Sequence, residues 1–155
     1  MKHVENEFIG ADGVKIYYRA WLPDVEPKAV VQVVHGFGEH SGRYGNVVEA
    51  LLPLGYAVYA DDHRGHGKSG GKTNYAESMD QFVNDEKKLL EIIKEIHPKL
   101  PVFLLGHSMG SGIAQYVASK FQEHYQGLVL SGTGTHFGGD VPGIVKFFAK
   151  LLSKI

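Results

Sequence analysis

The apolar positions of this chain change period several times, and each change predicts an element. From Asn6 to Pro23, "NEFIGADGVKIYYRAWLP", apolar and polar residues alternate around Asp12-Gly13. That pattern predicts two antiparallel strands joined by a two-residue hairpin turn. "AVVQVVHG" (Ala29–Gly36) is a nearly unbroken β-branched run ending in glycine, as in a strand covered on both faces. "YGNVVEALLPLG" shifts to helical spacing, with Val47, Val48, Leu51 and Leu52 on one side and a stop at Pro53 and Gly55. A second buried-type strand is predicted over Tyr56–Asp62, followed by the glycine-rich loop "HRGHGKSGG". An amphipathic helix is predicted from Met79 to Ile96, closed by Pro98 and Pro101. A strand follows over "VFLLGH", then a helix over Met109–Phe121, then a strand over Gly127–Gly132 and a terminal helix, "IVKFFAKLLSKI".

Strand and helix in alternation, with strands of the buried type, define an α/β fold: a mostly parallel sheet with helices on both faces. The leading hairpin adds antiparallel strands at one edge. In such a sheet, ligands bind at the carboxyl ends of the strands. A length of 155 residues with 43% hydrophobic content allows one domain with a core. The net charge of -1 leaves no electrostatic footprint for nucleic acid. The chain has no cysteine, which removes disulfides, thiolate metal sites and a cysteine nucleophile. "MKHVENEFIG" is not a signal peptide, and no apolar run approaches the roughly 20 residues of a membrane span. A cytoplasmic location is expected.

The unusual residues fall at the carboxyl edge. Gly106-His107-Ser108-Met109-Gly110 is G-x-S-x-G between a predicted strand and a predicted helix. In a nucleophile elbow the serine stands free on a tight, strained turn, and the flanking glycines let strand and helix approach. Ser108 is the candidate nucleophile. Stabilising an oxyanion takes two backbone N–H groups. Met109 supplies one by position, and Phe37, between Gly36 and Gly38 after an earlier buried strand, is the candidate for the other. His35 is expected to hold that loop, and His107 to pack beside the elbow. His40, His63 and His66 lie in edge loops. No H-x-x-x-H helix or carboxylate cluster is visible beside them, so no metal is expected.

"HGFGEHSGRY", "DDHRGHGKSGG" and "GHSMGSG", in this order, resemble the α/β-hydrolase superfamily. More narrowly they resemble its monoacylglycerol lipase and lysophospholipase branch, the serine aminopeptidase-like hydrolases. The resemblance implies Ser108 as nucleophile, Phe37 and Met109 as oxyanion hole, and Asp62–Ser69 as a loop shaping the floor of the site. It implies no cofactor and a small ester substrate with an apolar acyl chain, cleaved through an acyl-enzyme. A peptidase, a small-molecule esterase or another α/β-hydrolase activity on the same scaffold is the enzymatic rival. An inactive half-domain needing a complementary chain is the other.

Chain order in such enzymes is serine, acid, histidine. After Ser108 the acids are Glu123 and Asp140, and the histidines are His124 and His136. Glu123 falls at the far end of the helix that Ser108 opens, on the order of 20 Å away at 1.5 Å per residue. Asp140 and His136 form a pair in reversed order. The expectation is therefore an incomplete hydrolase fold, lacking later strands and most of a cap. Residues 1–135 would be the N-terminal part of the core and 136–155 the start of a cap. The terminal helix places Ile144, Phe148, Leu151, Leu152 and Ile155 on one face and Lys146, Lys150 and Lys154 on another. It suits packing on the domain or contact with a membrane surface through 144–155. An exposed sheet edge predicts self-association or a complementary chain.

Overall fold

The computed structural model describes residues 1–133. Its six-stranded sheet comprises β1 (Lys2–Ile9), β2 (Lys15–Leu22), β3 (Ala29–Val34), β4 (Tyr56–Asp61), β5 (Val102–His107) and β6 (Gly127–Ser131). The strand order is β1-β2-β4-β3-β5-β6. β1 and β2 are antiparallel, β2 joins β4 antiparallel, and β4, β3, β5 and β6 run parallel. Helices α1 (Gly45–Leu51), α2 (Met79–Ile96) and α3 (Met109–Phe121) make the crossovers.

β3 is central and buried at every position, as its unbroken apolar run requires. Val31 and Val33 face α1, where Tyr44, Val48, Leu52, Trp21 and Val58 complete one core layer. Val30 packs on the opposite face with Leu89, Leu90 and Ile93 of α2. Val34 joins Val83, Leu104 and the α3 residues Ile113, Ala114 and Val117. The helix faces follow from sequence spacing: Val83, Leu90 and Ile93 recur at helical intervals and all are buried.

The predicted spans of α2, β5 and α3 coincide with the structure. The hairpin tip differs. Asp12 and Gly13 do not form a two-residue turn. Ala11–Gly13 instead make a 3-10 turn, closed by Gly10 N–H to Val14 O at 2.7 Å. The reason lies far along the chain. Asp85 on α2 accepts the Ala11 N–H at 2.7 Å, and a Cβ on Gly10 would lie 2.4 Å from the same carboxylate oxygen. A helix side chain thus shapes the tip. The strands predicted to end at Gly36, Asp62 and Gly132 end at Val34, Asp61 and Ser131, as the chain turns into its edge loops.

Candidate active site

Ser108 occupies the single residue between β5 and α3, with φ 52° and ψ -119°. A non-glycine residue in that region is strained, and the surroundings must hold it there. They do so on both sides. Ser108 N–H donates to Ser131 O at 2.9 Å, while Ser111 N–H and Oγ donate to Ser108 O at 2.9 and 2.6 Å. The glycines permit the approach. A Cβ on Gly106 would meet Gly110 O at 2.5 Å, and one on Gly110 would meet Val34 O at 2.1 Å. The side chain of Ser108 is left exposed.

The loop after β3 comes to the same place. A Cβ on Gly36 would lie 3.3 Å from Ser108 Cβ, so this loop and the elbow touch. Gly36–Glu39 forms a turn with Glu39 N–H to Gly36 O at 3.3 Å, and Gly38 takes φ 68° as its third residue. Phe37 is 61% exposed at the tip, its ring edge-on to His66. Among the described residues, neither the Phe37 nor the Met109 N–H has a protein acceptor.

Polar side chains hold this loop. His35 is fully buried; the His63 N–H donates to its Nε2 at 2.9 Å. Its proton therefore sits on Nδ1, which donates to Gly36 O at 2.7 Å. Burial, and then the neighbouring His63, push the His35 pKa far down, so the ring is neutral. Glu39 Oε2 accepts from Gly36 N–H at 3.0 Å and Tyr44 Oη–H at 2.9 Å. Asp62 binds the neighbouring loops together, accepting from Ser41 N–H and Oγ through one oxygen and from Lys68 N–H through the other. Neither Glu39 nor Asp62 stood out in the sequence. The available signal was an acid close after each of two buried strands.

Partial burial pushes the Glu39 pKa up, but the bonds from Tyr44 and Gly36, with His107 nearby, outweigh it and the net shift is downward. A depressed carboxyl contributes stability above its unfolded pKa, about 4.5, and loses it as pH falls through the folded value. Glu39→Gln is expected to flatten the acid-side decline of the denaturation midpoint. An unchanged acid limb would assign that decline to other carboxylates.

His107 Nδ1 lies 3.3 Å from Ser131 Oγ, beside the elbow. His40 Nδ1 accepts from Gly42 N–H, and His66 Nδ1 donates to Arg64 O. Among the described residues, none of these rings, and no carboxylate, hydrogen-bonds the Ser108 hydroxyl. Glu123 and His124 lie in a 3-10 turn beyond the far end of α3. His136, Asp140 and the helix predicted over 144–155 fall outside the described residues. The metal expectation rested on there being no carboxylate cluster, and that ground does not hold. Asp61, His63 and Glu86 come together in the core, their nearest donor atoms all within 4.8 Å of one another.

The sheet and elbow define an α/β-hydrolase, and a solved structure gives the same answer. A carboxyl esterase from Bacillus coagulans superposes with a TM-score of 0.81 at 34% identity, over 99% of this chain and 51% of that one. The family model described as "Serine aminopeptidase, S33" matches residues 25–155. The chain belongs to that family. It is 41% identical to a monoacylglycerol lipase of Mycolicibacterium smegmatis, over 97% of this chain and 54% of the relative. It is 43% identical to the human monoglyceride lipase, over 79% of this chain and 40% of the relative. The chain thus spans about half the length of these relatives. Among the described residues, no helix is long and apolar enough to cross a membrane.

Proposed function

We propose that this chain carries the nucleophile and oxyanion hole of a serine hydrolase acting on carboxylic esters with apolar acyl chains, monoacylglycerols among them. The observation carrying this reading is the strained, exposed Ser108 beside the Gly36–Glu39 turn at the carboxyl edge of the sheet. In the proposed reaction Ser108 Oγ attacks the ester carbonyl, and its proton passes to a general base. The N–H groups of Phe37 and Met109 donate to the oxyanion. The alcohol leaves with a proton as the acyl-enzyme forms. Water then hydrolyses that intermediate, releasing the acid and regenerating Ser108. Gly36, Gly38, Gly106 and Gly110 shape the backbone, while His35 and His107 support it.

The base and its acid belong, in this reading, to polypeptide beyond the described residues. Residues 1–135 supply the core and 136–155 begin a cap. Leu128, Val129 and Leu130 of edge strand β6 are 39%, 52% and 38% exposed, so further chain or a second polypeptide suits this face. A polypeptide limited to these 155 residues is expected to show little turnover.

The lipase relatives favour esters, whereas the family description favours aminoacyl amides as the second reading. Parallel assays on long- and short-chain acyl esters and on aminoacyl amides, using a polypeptide with the complete catalytic set, separate them. Faster turnover of long-chain acyl esters is expected. Equal or better turnover of the amides would overturn the ester assignment.

A further inference from the structure

Beneath the candidate active site, three ionisable side chains meet, and one oxygen of each of the two carboxylates is left without a partner among the described residues. Asp61 ends β4, His63 follows it, and Glu86 projects from the middle of α2. Asp61 and Glu86 are fully buried and His63 is 1% exposed. His63 Nδ1 stands 3.4 Å from Asp61 Oδ2 and 3.4 Å from Glu86 Oε1. Both separations are long for a charge-assisted hydrogen bond, which runs about 2.7–2.9 Å. Among the described residues, Asp61 Oδ1 and Glu86 Oε1 have no hydrogen-bond partner. No lysine or arginine among the described residues pairs with either carboxylate. Arg64, the closest candidate in sequence, is committed to Asp85 through Nε at 2.8 Å and Nη2 at 3.1 Å.

We propose that Asp61, His63 and Glu86 form a structural site for one divalent first-row transition ion, zinc in the first place. The spacing fits. His63 Nδ1 lies 3.4 Å from one oxygen of each carboxylate, and a donor atom from each residue lies within 4.8 Å of the other two, a spread close to that of ligands at zinc–nitrogen and zinc–oxygen bonds of about 2.0–2.2 Å. Asp61 Oδ1 is available as a further donor. An imidazole with two carboxylates suits zinc, iron or manganese better than calcium, which takes oxygen ligands alone. With both carboxyls ionised as ligands, one divalent ion would neutralise their two charges.

The outer partners are in place. His63 Nε2 donates to His35 O at 3.0 Å, leaving the Nδ1 lone pair for the ion. Gln32 Nε2 donates to Glu86 Oε2 at 2.7 Å, turning Oε1 toward the cluster, and Tyr125 Oη–H donates to Gln32 Oε1 at 3.1 Å. Burial, and then the Asp61 carboxylate, push the Glu86 pKa well above the ordinary range. The ion would tie β4 to α2 directly below the loop that His35 holds.

The test is refolding of the full chain with Zn²⁺, dialysis against metal-free buffer, and measurement of bound metal and melting temperature. One zinc per chain is expected, with a melting temperature that falls on chelation. Glu86→Gln and Asp61→Asn should each weaken retention by about tenfold or more. Asp85→Asn, a buried carboxylate outside the cluster, should retain zinc. Should the ligand variants fail to fold, Co²⁺ in the unaltered chain supplies a second readout, expected as visible d–d absorption from a low-symmetry site. No retained metal, an unchanged melting temperature with the metal, or equal retention in the ligand variants would overturn the site. None of these readouts uses ester turnover, so failure here leaves the proposed chemistry of Ser108 standing.

Discussion

Replacing Ser108 by alanine is expected to lower ester turnover by on the order of 10⁴-fold or more in a polypeptide with the complete catalytic set. The hydroxyl is the group placed to form the acyl-enzyme, and it sits beside the Gly36–Glu39 turn. The fold should hardly notice the change. Ser108 is exposed, and its structural bonds run through its backbone N–H and carbonyl, which alanine retains. Alanine has the same difficulty with φ 52°, so the backbone strain is also unchanged. The expected result is an inactive protein with the parent's denaturation midpoint, unlabelled by a fluorophosphonate that labels the parent. Retained turnover in Ser108→Ala would sink the proposed mechanism.

The largest effect on stability is expected at Gly110. A Cβ there would lie 2.1 Å from Val34 O and 2.4 Å from His35 O, both backbone atoms of the central strand and its exit. No rotamer change relieves such a contact, so α3 must move away from β3 and disturb the packing of Ile113, Ala114 and Val117. Gly110→Ala should cost about 3 kcal/mol or more, read as a lower urea midpoint. Gly45, in the first turn of α1, provides the contrast. Nothing lies within 4 Å of a Cβ built there, and alanine favours helix, so Gly45→Ala should be neutral or stabilising by up to ~1 kcal/mol. Equal costs at the two positions would show that the elbow does not depend on close approach.

These contrasts show what the sequence does and does not make legible. The spans of α2, β5 and α3 were readable because local signals agree: helical spacing between Ser78 and Pro98, then an apolar run ending in G-x-S-x-G. The contact between Gly36 and the elbow could be expected, since both follow parallel strands of one sheet. The hairpin tip was not readable, because its shape is set by Asp85, far along the chain on α2. Glu86 left only a weak trace. It interrupts the buried stripe of Val83, Leu90 and Ile93, where an acid has no local reason to be. Its partners Asp61 and Gln32 come from two different strands, and only the strand order brings them together. Short-range pattern locates elements; it says little about polar groups that meet through tertiary packing.

The central position of β3 also has a consequence in time. β4, one of its parallel neighbours, is made soon after it, but the other, β5, begins only at Val102. A ribosome adding roughly 5–20 residues per second takes about 3–14 s to make the stretch from Val34 to Val102. Throughout that interval one edge of the most apolar strand in the sheet has no partner, and the α3 side of its face has no cover. The nascent chain is thus most prone to association while the stretch leading to Ser108 is still being made, and a chaperone bound then would meet Val30, Val34 and the open edge of β3.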